Sequence, residues 1–109
     1  FELIKNKLGT KFLKHSKQLE KPIKRIAVMG GSGSFGIEKA ISVKADAYLT
    51  SDLKYHDYFK AENSILLVDV GHYESEQHTK KLLFDILTKK FPKFAISEAI
   101  TNTNPVKYI

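Results

Sequence analysis

The sequence predicts an α/β fold, a layered domain in which helices flank a largely parallel or mixed sheet. Two observations carry that expectation. Short apolar runs, Ile26–Met29, Ala47–Thr50 and Ile65–Val70, recur through the middle of the chain, each of strand length and bounded by glycine or polar residues. Segments of helical character, Ile37–Val43, Tyr55–Ala61 and Tyr73–Lys90, follow them in turn. Strands alternating with helices imply crossover connections, which lay helices over a sheet whose strands mostly run the same way.

The remaining elements fit around that frame. Phe1–Leu8 reads as a short amphipathic helix closed by Gly9, a residue suited to the left-handed C-cap. Thr10–His15 reads as a strand, and a polar turn runs through Lys21-Pro22. Ile26–Met29 is expected to be a buried strand leading into the glycine turn Gly30–Gly36. In the next helix Ile37, Ala40, Ile41 and Lys44 mark the period. Tyr73–Lys90 is the longest helix, with Leu82, Leu83, Ile86 and Leu87 on one stripe and lysines elsewhere. Phe94–Ile96 is read as a last strand before a polar C-terminal stretch.

With 109 residues the chain is expected to form one domain. Its 42% hydrophobic and 11% aromatic content suits a soluble globular protein. No apolar run approaches the roughly 18 residues of a membrane span, so no membrane association is expected. No signal-peptide pattern is visible. The absence of cysteine excludes disulfides and thiolate metal sites, and fits a reducing compartment such as the cytoplasm.

The net charge of +6 comes from 18 lysines and arginines against 12 acids. Eight of the basic residues fall between Lys5 and Arg25. A basic patch can attract nucleic acid or phosphate, yet this one lacks interleaved aromatics and contains only one arginine. A solvated lysine surface is therefore expected, and nucleic acid is not expected as a partner. The chain begins with Phe1 rather than Met, which suggests a piece of a longer polypeptide whose other part could complete a site.

In parallel sheets, sites gather beyond the C-terminal ends of the strands. Three loops lie there. In Val68-Asp69-Val70-Gly71-His72-Tyr73-Glu74-Ser75-Glu76 an apolar strand runs into a helix, and residues four apart put His72 and Glu76 on one helix face. An imidazole and a carboxylate so placed form half of a metal site or an acid–base pair. The plainer alternative makes His72 a cap and lets Glu74 and Glu76 complement the helix dipole. In Thr50–Asp57, Asp52 could position a ligand or cap the following helix, and His56 could act as a general acid or base.

The third loop, Gly31-Ser32-Gly33-Ser34-Phe35-Gly36, matches G-x-G-x-x-G between strand and helix, with Asp52 about twenty residues on. Gly31, Ser32 and Gly33 are thus candidate nucleotide-binding residues. The chain is too short for both halves of a dinucleotide-binding domain, however, and the same glycines could serve a tight turn.

Taken together, Met29–Ser34, Ala45–Asp57, Gly71–Glu76 and the closing Thr103-Asn104-Pro105 resemble the NGG-one-interacting-factor-three-like family, whose bacterial members are often filed as type-2 homologues of GTP cyclohydrolase I. The resemblance covers nearly the whole chain and implies the C-terminal part of a longer member. It further implies a dinuclear metal site in which His72 and Glu76 join a His pair and an Asp from the N-terminal part. Two divalent ions (zinc, manganese or iron), a homohexamer and a small-molecule substrate come with it. Ser51 departs from the family pattern, where glycine is usual before Asp52, and could alter the backbone there.

The expected function is therefore the C-terminal part of a metal-dependent hydrolase-like protein. His72 and Glu76 would be metal ligands, His56 and Asp52 pocket residues, and the isolated chain would be inactive. The alternative is a non-catalytic nucleotide-binding or assembly module using the Gly31–Gly36 turn.

Overall fold

A computed structural model describes residues 1–109. It forms two compact units, Phe1–Glu76 and Gln77–Ile109. The first unit holds a four-stranded sheet of order β1-β4-β3-β2, made of β1 (Lys14–His15), β2 (Ile26–Ser32), β3 (Ala47–Ser51) and β4 (Leu66–Asp69). Strands β2, β3 and β4 run parallel, and β1 pairs antiparallel with β4 through Lys14 opposite Asp69. The sheet is mixed and largely parallel, as the alternation of elements predicts.

The two central strands are buried along their whole length. That explains why they read as unbroken apolar runs, since both faces of the sheet are covered. On one face Tyr48 and Leu67 pack with Ile37 and Ala40 of α2 (Ile37–Ser42) and with Leu53, Ala61 and Ile65. On the other, Ala47, Leu49, Leu66 and Val68 pack against Ile4 and Leu8 of α1 (Glu2–Leu8) and against Leu13 and Leu19. Gly9 closes α1 in the left-handed conformation, with φ of 66°.

Five expectations need correction. β2 is an edge strand, so Ile26 and Val28 are 50% and 72% exposed rather than buried. Only Lys14 and His15 of Thr10–His15 join the sheet. Tyr55–Ala61 is 3-10 rather than α-helical. Its amino end is closed by the Asp57 carboxylate, which accepts from the Lys54 amide at 3.0 Å, so Asp52 is not its cap.

The long helix over Tyr73–Lys90 is the fourth. It divides into α3 (His72–Glu76) and α4 (Thr79–Lys90). Within α3 the Ser75 hydroxyl donates to the His72 carbonyl at 2.8 Å. The second unit contains α4, whose Leu82, Leu83, Ile86 and Leu87 are 41–59% exposed. Phe94–Ile96 is not a strand; the Phe94 amide instead donates to Phe91 O at 3.1 Å, and the two rings meet edge to face.

Opposite its partner Ala47, Ile26 opens β2 beside a bracket formed by Asp46. The Asp46 carboxylate accepts from the amides of Lys24 and Arg25, both at 2.9 Å, and pairs with Lys21 at 2.8 Å. The Lys21 contact and these amides hold its pKa well below the usual carboxylate range. A carboxylate so depressed stabilises the fold above its unfolded pKa, and that contribution fades as pH falls through the folded value.

Glycine is required where β2 passes into α2. A β-carbon at Gly33 would overlap the Thr50 hydroxyl and come within 2.7 Å of the Tyr48 hydroxyl, and one at Gly36 would collide with the same phenol. The Tyr48 hydroxyl donates to Gly33 O at 2.9 Å, so this close approach is a buried contact within the chain. At Gly30 the nearest atom to an added β-carbon lies 3.5 Å away, an ordinary contact. Gly33→Ala should therefore cost about 1–3 kcal/mol, and Gly30→Ala no more than about 1 kcal/mol either way. Urea denaturation of the two variants checks this; equal losses would contradict the packing described.

Candidate metal half-site at the strand ends

The C-terminal ends of β3 and β4 are organised by a residue that the sequence reading passed over. Asp69 is 3% exposed and ends β4. Its Oδ2 accepts from the Leu53 amide at 3.1 Å and from Lys14 Nζ at 2.9 Å, while its Oδ1 accepts from the Gly71 amide at 3.1 Å. One carboxylate thus fixes the loop carrying Asp52 and the loop leading to His72. The signal was a lone charge within the apolar run Leu66–Val70, where a buried carboxylate must be paired.

His72 is the first residue of α3, and Glu76 follows one turn later. Its Nδ1 lies 2.6 Å from Asp52 Oδ2, and its Nε2 lies 3.2 Å from Glu76 Oε2. The imidazole therefore bridges two carboxylates, all three groups being about half exposed. The hydrogen bond to Asp52 raises the His72 pKa above its ordinary value, against an opposing effect of burial, and the charges of Asp52 and Glu76 add to the rise. Because the folded value is raised, the pairing adds stability that is full below the unfolded pKa and fades as pH rises through the folded one.

Asp52 reaches the ring from a left-handed backbone, with φ of 58°. Ser51 is fully buried and its hydroxyl donates to Gly31 O at 2.5 Å. The positive φ falls one residue later, on an aspartate, a type that tolerates this region better than most.

The glycine turn supports α3 from the side. The Gly31 amide donates to the Ser75 hydroxyl at 2.8 Å. A β-carbon on Gly31 would sit 2.5 Å from Glu76 Oε1 and 3.6 Å from His72 Cε1, and its φ of 67° also favours glycine. Gly31, Gly33 and Gly36 each meet side chains of their own chain. Asp52, read from sequence as a possible ribose acid, faces His72.

His56 is not drawn into this cluster. It lies on the 3-10 segment, stacked on Phe59 with centroids 6.2 Å apart and edge-on to Tyr55, and no hydrogen bond or ion pair joins it to Asp52, His72 or Glu76. A cleft of about 370 Å³ lined by Lys17–Lys21 and Asn63 includes none of these residues either.

The donor set bears on what the site can hold. Two ligands bonded at about 2.0–2.2 Å around a tetrahedral ion stand roughly 3.3–3.6 Å apart, a little wider than the 3.2 Å between His72 Nε2 and Glu76 Oε2. Asp52 lies on the opposite side of the ring and cannot share an ion with Glu76. No group of three or more histidine, aspartate or glutamate side chains is placed to hold a metal ion. The chain offers a pair of facing donors, half of a usual set.

Comparison with known proteins places the chain. Residues 1–105 match the model of the Duf34/NIF3 (NGG1p interacting factor 3) family, and the chain belongs to that family. It is 36% identical over 112 residues to the GTP cyclohydrolase 1 type 2 homolog of Staphylococcus epidermidis, covering 98% of this chain and 30% of that protein. The Campylobacter jejuni protein of the same name is 38% identical over 107 residues, covering 96% and 42%. The chain thus spans 30–42% of the length of these relatives.

Among solved structures, a Bacillus cereus protein related to NIF3 aligns with a TM-score of 0.79 at 28% identity, over 99% of this chain and 31% of that one. Reduced HcgD from Methanocaldococcus jannaschii aligns at 0.69 and 29% identity, over 83% and 37%.

If Asp69 organises both loops, its loss should be more damaging than loss of its exposed lysine partner. Asp69→Ala strands two main-chain donors and should destabilise the protein by about 2–4 kcal/mol. Lys14→Ala removes a 67%-exposed ammonium but leaves both amides on the buried carboxylate, and should cost less, about 1–2 kcal/mol. Chemical denaturation measures both, and comparable losses would refute the clamp.

Proposed function

We propose that this chain supplies one half of a divalent-metal centre, with His72 Nε2 and the Glu76 carboxylate as ligands, in a hydrolase-like protein. The observation that carries the reading is the 3.2 Å separation of those two atoms, close to the bite of a single ion. The remaining ligands come from a part of the protein outside this chain, which spans less than half of its relatives. Two ions of zinc, manganese or iron, each suited to imidazole and carboxylate, occupy the completed centre. The protein works as a homo-oligomer in the cytoplasm on a small molecule, of nucleotide-like or phosphorylated character.

An ion at this position supplies Lewis acidity toward a substrate oxygen. The chain's own residues do the positioning. Gly31 leaves room for Glu76 to lie against β2, and Ser75 ties α3 to the Gly31 amide. Asp69 holds the strand-to-helix turn that aims His72. With the glycines occupied by contacts to Tyr48, Thr50 and Glu76, the metal reading accounts for more of the site than a nucleotide module does.

Calorimetric titration with zinc or manganese tests the proposal. The 109-residue chain should fold without metal, bind it weakly, and lose even that binding in His72→Ala and Glu76→Ala, while His56→Ala has no effect. It should show no hydrolase activity alone. Tight stoichiometric binding by the monomeric chain, abolished by His72→Ala, would show a complete site here; binding unaffected by either ligand substitution would remove the metal reading altogether.

A further inference from the structure

We infer that Asp52 is the positioning residue of the His72 ligand, holding the neutral imidazole with its proton on Nδ1 so that the Nε2 lone pair faces the Glu76 carboxylate and an incoming metal ion. The inference rests on the metal reading for its purpose, but its geometry stands without it. A neutral imidazole carries one ring proton and two carboxylates compete for it. Asp52 Oδ2 lies 2.6 Å from Nδ1, whereas Glu76 Oε2 lies 3.2 Å from Nε2. The shorter contact takes the proton, because a charge-assisted hydrogen bond strengthens as it shortens into this range. The nitrogen left without a proton is then the one aimed at Glu76. That is the state a metal ligand needs, and the partner of the other ring nitrogen selects it.

The backbone supports this role. Asp52 has a left-handed conformation, φ 58°, that most side chains avoid. Its neighbours on both sides are fixed. The Ser51 hydroxyl is bonded to Gly31 O, and the Leu53 amide donates to buried Asp69. The Gly71 amide on the His72 side donates to the same Asp69. Carboxylate and imidazole are therefore aimed at each other by one shared anchor. As a positioning residue Asp52 should contribute through ligand geometry, for which loss of such a partner typically weakens metal binding by about 10- to 100-fold.

The test begins with the metal-free chain. Long-range nitrogen–proton NMR correlations of His72, recorded above its pKa, report which ring nitrogen carries the proton. The wild type should show Nδ1–H, and an Nε2–H ring would overturn the inference without any variant. Asp52→Gly suits the positive φ, so the fold should be retained. In it His72 should shift toward Nε2–H, and zinc titration followed on the ring signals should show an affinity about 10- to 100-fold lower. A variant with unchanged tautomer and unchanged affinity would also overturn it. If instead the tautomer shifts while His72→Ala and Glu76→Ala leave zinc binding untouched, the positioning stands and the metal reading fails.

Discussion

The arrangement at the strand ends depends on one buried carboxylate. Asp69 sits where β4 leaves the sheet and divides its two oxygens between three donors: Lys14 on the antiparallel strand, the Leu53 amide after β3, and the Gly71 amide before α3. Removing a carboxylate from water is expensive unless it is fully paired. That expense is what makes the arrangement specific: few other positions of the two loops would satisfy the charge. The loops bearing Asp52 and His72 are thereby held together even though they are twenty residues apart in sequence.

Around that anchor the sheet supplies close approach. Strand β2 brings Gly31 against α3, and the turn that follows brings Gly33 against Tyr48 and Thr50. Each contact puts main chain where a side chain would otherwise stand. Gly31 is the pivot, since its carbonyl receives hydroxyls from Thr50 and Ser51 while its amide donates to Ser75. A five-residue helix such as α3 has little stability of its own. It is oriented by these external bonds and not by its own propensity, so His72 and Glu76 stay in register with the strand ends.

Much of this was legible in the chain, for identifiable reasons. Central strands β3 and β4 announced themselves because burial on both faces leaves an unbroken apolar run. Gly9 marked the end of α1, and the four-residue spacing of His72 and Glu76 placed them on one helical face. The edge position of β2 was not legible, because Ile26 and Val28 are as apolar as buried residues. Nor was the break at Gln77-His78, which interrupts an otherwise continuous helical period. The G-x-G-x-x-G spacing did not by itself separate a nucleotide turn from a packed one, because close approach to a tyrosine and a threonine demands the same residue type. The role of Asp69 was visible only as an oddity, a charge in an apolar run, whose partners lie 16 and 55 residues away in sequence at Leu53 and Lys14.

The central claim is that the metal lies between His72 Nε2 and Glu76, with Asp52 behind the ring. Anomalous X-ray scattering from zinc-loaded crystals, recorded across the zinc absorption edge, tests it most directly. The account predicts a peak at bonding distance, about 2.0–2.2 Å, from both His72 Nε2 and a Glu76 oxygen. A peak on the Nδ1 side beside Asp52, or one bonded to neither residue, would contradict it.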